Sequence, residues 1–487
     1  MGRRDSGIAY DAVVVGTGPN GLAAAVTLAQ TGWSVLALEA ASTVGGGTRS
    51  AALTLPGFTH DICSAVHPLA VLSPAFRNMP LQRHGLEWAH PPTPLAHPLD
   101  GGIAAVLERS LETTVEWLGP DGEAYRSLMQ PLADDVERLV ESVLGPFRIP
   151  RHPLALSRFG MSALRSASGL ARSRFRTEQA RALVAGIAGH SMLPLERPGT
   201  AAVALILGIS AHVAGWPVAR GGSQSIANAL AAYLLELGGE IETNRRVTSL
   251  AELPTSRAVL FDTGPRQLVE MAGDELPGWY RAQLRRFRYG PGSFKVDWAL
   301  SGAVPWTATE CARAGTVHAG GTLAEISAAE AAVARGEHPE RPFVLLSQPC
   351  VADPSRAPDG QHTLWGYCHV PSGSTVDMTE RIEAQIERFA PGFRDLILAR
   401  AAMNAVEMER YNANYIGGDI NGGLQDLRQV FTRPAPRFDP YSTPNRRLYL
   451  CSSSTPPGGG VHGLCGHFAA QSVLRRLSWT GMMARTG

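Results

Sequence analysis

The sequence has few cysteines, and their spacing excludes two kinds of chemistry. Six cysteines are spread over 487 residues, and no two of them form a Cys-x-x-Cys pair. Dithiol electron relays and zinc-ribbon sites both depend on such pairs. We therefore predict no metal site, and we interpret the cysteines as reduced thiols of a cytoplasmic protein.

Strong net charge and long hydrophobic runs are also missing. The formal net charge is +1, so the composition gives no indication of nucleic acid as a partner. The apolar stretch 201–213 is too short to cross a bilayer. The apolar stretch 12–29 is interrupted by Gly16, Gly18 and Pro19, which argues against an export signal. We expect a protein that does not span a membrane.

Lysine is almost absent. Lys295 is the single lysine among 44 basic residues, and the others are arginines. Arginine cannot replace lysine where a compact, titratable amine is needed. Lys295 is therefore a candidate for specific chemistry, and chance survival of one lysine is the alternative.

A glycine-rich turn near the N-terminus indicates nucleotide binding. Gly16-Thr17-Gly18-Pro19-Asn20-Gly21 follows an apolar strand, 11–15, and precedes a helix, 21–31. This context is typical of a βαβ unit that holds a pyrophosphate at the helix N-terminus. Glu39 ends the next strand, 34–38, where its carboxylate can bind ribose hydroxyls. The motif alone does not distinguish NAD from FAD.

Two further glycine-rich segments carry a family resemblance. Val44-Gly45-Gly46-Gly47-Thr48-Arg49-Ser50 comes just after Glu39, and 448–463 contains a strand followed by Ser454-Thr455-Pro456-Pro457-Gly458-Gly459-Gly460-Val461-His462. Both segments resemble the flavoprotein superfamily that joins amine oxidases and phytoene desaturases. The chain is most similar to phytoene-dehydrogenase-like oxidoreductases, akin to the pyridine nucleotide-disulphide oxidoreductase domain 2 proteins. Segments 55–58, 84–86 and 215–223 extend the resemblance, whereas 100–214 matches only loosely.

This resemblance implies FAD as the cofactor. The residues that it and the first motif assign to FAD are Gly16, Gly18, Pro19, Asn20, Gly21, Glu39, Ala40, Gly46, Gly47, Thr48, Arg49, Val247, Ser454, Gly459, Gly460, Val461 and His462. No second strand-bound fingerprint for NAD(P) is evident, so we expect oxygen, a quinone or another external acceptor to reoxidise the flavin.

Three residues are candidates for catalysis: Lys295, Asp297 and His369. Lys295 and Asp297 alternate with apolar residues, which predicts a strand with one buried face. In amine-oxidase relatives a lysine holds a water near flavin N5; a structural contact between Lys295 and Asp297 is the alternative. His369 shares a strand face with Trp365 and could accept a proton, or serve only structure.

Two other segments allow more than one interpretation. Asp419 and Asn421, in a glycine-dense loop, could contact substrate or isoalloxazine, or could form turns. His462 could contact the flavin or cap a helix. Segment 151–181 has seven arginines and one acid, and Arg158, Arg165 and Arg172 recur every seven residues. We interpret this segment as a basic amphipathic helix, either at a membrane surface or as a solvated face.

These observations together predict an α/β fold: a Rossmann-like FAD-binding domain, a mixed or antiparallel substrate sheet and a helical insertion. The expected FAD-binding segments are 8–99, 215–265 and 441–487, with the insertion at 100–214 and the substrate sheet at 266–440. The predicted function is dehydrogenation of a hydrophobic small molecule by hydride transfer to flavin N5. The alternatives are an amine oxidase, a flavin-dependent isomerase and a non-catalytic flavoprotein scaffold. The sequence leaves the oligomeric state open.

Overall fold

The strands and helices alternate in the pattern expected of an α/β protein. A computed structural model describes residues 8–483. Its strands are β1 (Tyr10–Val15), β2 (Val35–Leu38), β3 (Ser50–Ala51), β4 (His60–Asp61), β5 (Trp88–Ala89), β6 (Thr93–Leu99), β7 (Ile103–Leu107), β8 (Val218–Ala219), β9 (Glu240–Glu242), β10 (Ser256–Phe261), β11 (Gly292–Leu300), β12 (Ala314–Ala319), β13 (Val344–Ser347), β14 (His362–Val370), β15 (Ile397–Met403) and β16 (Leu448–Leu450). Its α-helices are α1 (Pro19–Ala29), α2 (Pro68–Leu72), α3 (Pro74–Arg77), α4 (Leu111–Trp117), α5 (Gly122–Asp134), α6 (Val136–Val143), α7 (Pro153–Ala163), α8 (Ala167–Arg174), α9 (Glu178–Gly189), α10 (Thr200–Val213), α11 (Gln224–Glu236), α12 (Pro265–Ala272), α13 (Gly278–Arg285), α14 (Leu323–Ala334), α15 (Pro349–Ala352), α16 (Thr379–Phe389), α17 (Ala405–Tyr411), α18 (Leu427–Val430) and α19 (Leu464–Met483).

The first sheet is parallel and has the order β16-β10-β1-β2-β9. Short apolar runs build its central strands, because helices and loops cover both faces of a parallel sheet. Its strands come from three distant parts of the sequence. Segments 8–99, 215–265 and 441–487 each contribute strands to it. The predicted Rossmann-like fold is confirmed.

Helix α1 lies against this sheet and is buried from Asn20 to Ala29. Glycines permit its close packing. A Cβ atom on Gly21 would overlap the carbonyl oxygen of Gly16, and one on Gly466 of α19 would overlap the carbonyl oxygen of Asn20. The helix therefore begins directly at the turn after β1, where Pro19 has no amide proton and the Gly21 amide binds Asp262.

The second sheet is mixed and has the order β15-β11-β14-β13-β12-β6-β7. Only β12 and β6 pair in parallel. One face packs Phe294, Val296 and Trp298 against Ile382 and Ile386 of α16. Every residue of β11 is buried, so the predicted exposed face was wrong: Lys295 and Asp297 lie on the face opposite that core, covered by protein.

Strands β6 and β7 place the first domain boundary differently from the prediction. They pair with each other and, through β6, with β12 of the second sheet. A boundary at residue 99 therefore separates two paired strands. Within the predicted insertion, helices α4 to α10 occupy residues 111–213.

The arginine-rich segment is three helices instead of one. Arg158 lies in α7, Arg165 lies between helices, and Arg172 lies in α8. Ser166 and Thr177 accept hydrogen bonds from the first turns of α8 and α9 and so begin new helices. The predicted single amphipathic helix is therefore wrong.

Candidate functional site

One large cavity joins the edge of the first sheet to the second sheet and the helical insertion. Its volume is about 1220 Å³. Most of the residues assigned to FAD from the sequence line it: Gly16, Gly18, Pro19, Asn20, Glu39, Ala40, Gly46, Gly47, Thr48, Arg49, Val247, Gly459, Gly460 and Val461. Val247 reaches the cavity from the loop after β9, which ends at Glu242. The cavity therefore brings three distant glycine-rich or loop segments together.

Glu39 is held in a fixed orientation at the end of β2. One carboxylate oxygen accepts hydrogen bonds from the Thr17 amide, at 3.1 Å, and the Thr17 hydroxyl, at 2.6 Å. The other accepts from the Ala41 amide and from Arg49 Nη2, each at 2.9 Å. These contacts tie Glu39 to the first glycine-rich turn and to the second. The carboxylate lines the cavity at the place where the βαβ unit would present it to a ribose.

Asp262 is a cavity residue that the sequence interpretation missed. It follows β10, next to β1, and its carboxylate accepts a hydrogen bond from the Gly21 amide at 2.9 Å. Burial raises the pKa of this carboxyl to about 7. The signal in the sequence was an acid at the carboxyl end of a strand, but only the strand order shows that the strand adjoins the turn.

Gly21, Ser454 and His462 lie next to the cavity without lining it. The Gly21 amide binds Asp262, and the Ser454 hydroxyl lies 2.7 Å from that of Ser452. His462 accepts a hydrogen bond from the Leu464 amide at 3.0 Å through Nδ1, at the start of α19. This contact corresponds to the capping alternative. Burial lowers the pKa of His462 to about 4, which keeps the ring neutral.

The other end of the cavity is an apolar chamber. Helix α10, the second sheet and the segments around α2 and α18 form its walls. Its apolar and aromatic residues are Ala65, Val66, Leu69, Val143, Ala202, Val203, Ile206, Leu207, Trp216, Leu345, Trp365, Tyr367, Ile420, Leu427 and Val430. This lining suits a hydrophobic molecule.

His190 is a titratable residue at the wall of the chamber. Its Nε2 lies 3.1 Å from Nε2 of His318, and its ring packs edge-on against Trp216. Burial and the nearby His369 lower the pKa of His190 to about 3. Burial likewise holds the pKa of His318 well below its ordinary value. Both rings are therefore neutral at physiological pH, and His190 offers hydrogen bonding without charge.

Lys295 and Asp297 form a buried ion pair behind the chamber. Lys295 Nζ donates to Asp297 Oδ2 and lies 5.7 Å from the ring centre of Trp365. Trp365 and Tyr367 line the cavity, whereas Lys295 and Asp297 do not. Burial raises the pKa of Asp297 to about 6, against the opposing effect of Lys295. This geometry corresponds to the structural alternative.

His369 and Asp419 also serve contacts within the protein. Nδ1 of His369 lies 2.8 Å from the Glu330 carboxylate, away from the cavity lining. Asp419 accepts hydrogen bonds from the amides of Gly290 and Gly423 and forms a turn, while Asn421 lines the cavity. Neither His369 nor Asp419 is placed to contact a ligand of the cavity.

The family comparisons agree with this geometry. A family described as an NAD(P)-binding Rossmann-like domain matches residues 14–78. The mouse "Pyridine nucleotide-disulfide oxidoreductase domain-containing protein 2" is 26% identical, over 96% of this chain and 94% of its own length. The rat protein of the same name matches equally. The resemblance to this group is thus supported over nearly the whole chain, and phytoene desaturation remains a prediction.

Solved structures share the fold at low identity. An oxidoreductase from Methanosarcina mazei has a TM-score of 0.63 and 15% identity, covering 95% of this chain and 99% of that one. Putrescine oxidase bound to putrescine has a TM-score of 0.60 and 17% identity, with 96% and 99% covered. Cyclohexylamine oxidase from Brevibacterium oxydans has 0.57 and 16%, with the same coverage. The chain therefore shares the overall fold of these three structures.

Residues 8–483 contain neither a membrane-spanning helix nor a metal-binding cluster. No helix in this range is long and apolar enough to cross a membrane. No group of three or more histidine, cysteine, aspartate or glutamate residues in this range is arranged to hold a metal ion.

Proposed function

We propose that the protein is an FAD-dependent oxidoreductase that dehydrogenates a hydrophobic small molecule and forms a C=C bond. One observation carries this proposal. The cavity that contains the nucleotide-binding turns continues directly into the apolar chamber. A cofactor and an apolar substrate can therefore meet in one cavity.

The residues present fit FAD. Gly18 and Gly46 approach so closely that a Cβ on Gly46 would lie 3.1 Å from the Gly18 Cα. The two turns therefore present bare backbone to the cavity, and a pyrophosphate can approach such backbone closely. Glu39 is positioned for ribose hydroxyls. The C-terminal glycine-rich turn, Gly459–Val461, lines the same cavity. One cavity thus has an N-terminal and a C-terminal glycine-rich turn. This arrangement favours a long ligand such as FAD, which can contact both turns, over a nucleotide held by the N-terminal turn alone.

When bound, FAD would supply a hydride acceptor at N5, and oxygen or a quinone would take the electrons onward. The protein's own part is to bind, orient and exclude water. Ile206, Leu207 and Trp216 provide a dry wall, and Trp365 and Tyr367 provide flat surfaces for an unsaturated or hydrocarbon chain. The proton lost with the hydride would leave through a water, because burial opposes protonation of His190 and makes it a weak base.

An amine oxidase is the second candidate. The aromatic pair Trp365 and Tyr367, with ring centres 5.2 Å apart, lines the cavity, and two of the solved structures with this fold are amine oxidases by name. However, an alkylammonium ion entering the chamber would need a carboxylate partner. Asp297 is paired with Lys295 outside the lining, and the cavity acids Glu270 and Glu409 both pair with Arg266. This difference favours an uncharged substrate.

The test is an anaerobic titration followed by visible absorption. The purified protein would be mixed first with long-chain alkenes and polyenes and then with primary amines. Flavin bands that bleach with the hydrocarbons alone would support the proposal. Bleaching with amines alone would establish the amine oxidase. Flavin bands that bleach with neither, together with product formation without net redox, would indicate an isomerase. If a bound ligand causes neither bleaching of the flavin bands nor product formation, the flavin has a purely structural role. A protein that binds no FAD would exclude the whole class.

A further inference from the structure

An exposed apolar patch lies at the start of the helical insertion. We define it as Phe147, Ile149, Leu154, Met161 and Leu164, whose side chains are between 56% and 91% exposed. Leu154 and Met161 are seven residues apart on α7 and share its outer face, while Ala155, Phe159 and Ala163 face the core. Large apolar side chains clustered on a surface mark an interaction site.

The segment that carries this patch is rich in arginine. Segment 145–181 contains Arg148, Arg151, Arg158, Arg165, Arg172, Arg174, Arg176 and Arg181, against the single acid Glu178. Two of the arginines reach acids of neighbouring segments: Arg158 pairs with Asp135, and Arg151 lies 3.5 Å from Glu141. Arg172, Arg174 and Arg176 are exposed as well, and the segment as a whole has more basic than acidic residues. Arginine stems can lie along an apolar layer while their guanidinium groups meet phosphates.

The patch borders the apolar end of the cavity. Val143, which lines the cavity, ends the helix that leads into Phe147. The Phe147 ring packs edge-on against Phe431, at 6.2 Å, next to the cavity residue Val430. On the other side, the amide of the cavity residue Gly199 donates to the Leu164 carbonyl at 3.2 Å. The patch thus lies next to residues that line the cavity.

We infer that the apolar patch and its arginines dock onto an anionic lipid bilayer, with the cavity facing the lipid. Apolar side chains of this size reach the acyl boundary, and each nearby arginine is attracted to anionic headgroups. A second copy of the chain is the competing occupant. In a two-fold interface, however, the positive surface would face itself, whereas anionic lipid complements it. The docking does not depend on which reaction the cavity supports.

The experiment is vesicle co-sedimentation of the full chain, in the form in which it purifies. Vesicles of phosphatidylcholine alone would be compared with vesicles containing about one third phosphatidylglycerol. The variant is Phe147→Ser with Ile149→Ser. The matched control is Leu235→Ser with Trp279→Ser, because these two side chains are also more than half exposed but lie on α11 and α13. All four positions are at the surface, so folding should not change.

We expect the wild type and the control to bind the anionic vesicles, with binding reduced in about 0.5 M salt. The patch variant should partition at least about tenfold more weakly. Equal binding of the patch variant and the wild type would overturn the inference. So would the absence of binding to either vesicle, or a dimer in sedimentation velocity that only the patch variant loses.

Discussion

The Asp262 carboxylate accepts a hydrogen bond from the Gly21 amide at 2.9 Å, beside the nucleotide-binding turn. This contact joins the end of β10 to the first turn of α1. An aspartate in this position is buried among backbone groups, and burial raises its pKa to about 7. The site therefore contains an acid that is half protonated near neutral pH.

We expect Asp262→Asn to stabilise the protein more at pH 8 than at pH 5. In the unfolded chain the carboxyl ionises near pH 4, while in the folded protein it keeps its proton to about pH 7. The free energy of unfolding of the wild type therefore falls as the pH rises through this window, by on the order of 2–4 kcal/mol. Asparagine does not titrate, and its side-chain oxygen can still accept from Gly21.

The measurement is the thermal midpoint of both proteins at pH 5 and pH 8, at equal cofactor content. Asp274→Asn is the control, because its side chain is exposed. A difference between Asp262→Asn and the wild type that is the same at both pH values would show that the Asp262 carboxyl is not perturbed.

Glu39→Gln should weaken FAD binding. The substitution removes a charged acceptor at the cavity and its ion pair with Arg49. One charge-assisted hydrogen bond is worth roughly 1.5–3 kcal/mol, which corresponds to a loss in affinity of about ten- to a hundredfold. Titration of the apoprotein with FAD, followed by flavin fluorescence, measures this change. Glu242→Gln is the matched control, since Glu242 lies beside Leu38 on the neighbouring strand and is exposed. An equal loss of FAD affinity in both variants would show that Glu39 makes no specific contribution to FAD binding.

The parallel sheet and its first turn could be predicted from the sequence because the signals are local. Apolar runs, a glycine-rich turn and an acid at the next strand end all fall within residues 11–39. The role of Asp262 could not be predicted, because it depends on β10 pairing with β1 across more than two hundred residues. The order of strands in a sheet depends on contacts across the whole fold, and local patterns in one sequence do not predict it.

The segment around Arg165 shows a different kind of error. The seven-residue recurrence of arginine suggested one long helix, but Ser166 and Thr177 each begin a new helix as N-caps. Those capping residues were visible in the sequence and are stronger local signals than a recurring charge. The chamber was not predictable from any motif, because its walls come from α10, the second sheet and α18.

Lys295→Met should strongly lower the free energy of unfolding. Adding Asp297→Leu to give a double variant should recover much of that loss. Removing the lysine alone leaves a buried carboxylate without its partner, at a cost of about 3 kcal/mol or more. With both charges removed, β11 keeps its buried position without an unpaired ion. Thermal midpoints of the two variants and of Asp297→Leu alone complete the double-mutant cycle.

The rate of flavin reduction in the same variants distinguishes a structural role of Lys295 and Asp297 from a catalytic one. If the pair is structural, the double variant should be reduced by a hydrocarbon substrate at close to the wild-type rate. A double variant that folds and binds FAD but is not reduced would give Lys295 or Asp297 a part in catalysis, despite their position behind Trp365.

Ile206→Trp should block the chamber without affecting the cofactor. Ile206 is half-buried on α10 and lines the cavity, so an indole there occupies space that the substrate needs. We expect FAD content equal to the wild type and at least about a tenfold loss in the rate of anaerobic flavin reduction by a bulky substrate, with a smaller loss for a short one. Val213→Trp, at the half-buried other end of the same helix and outside the cavity lining, is the control. If Ile206→Trp lowers FAD content instead, the flavin extends into the region that we assign to the substrate. If neither quantity changes, the substrate does not use this chamber.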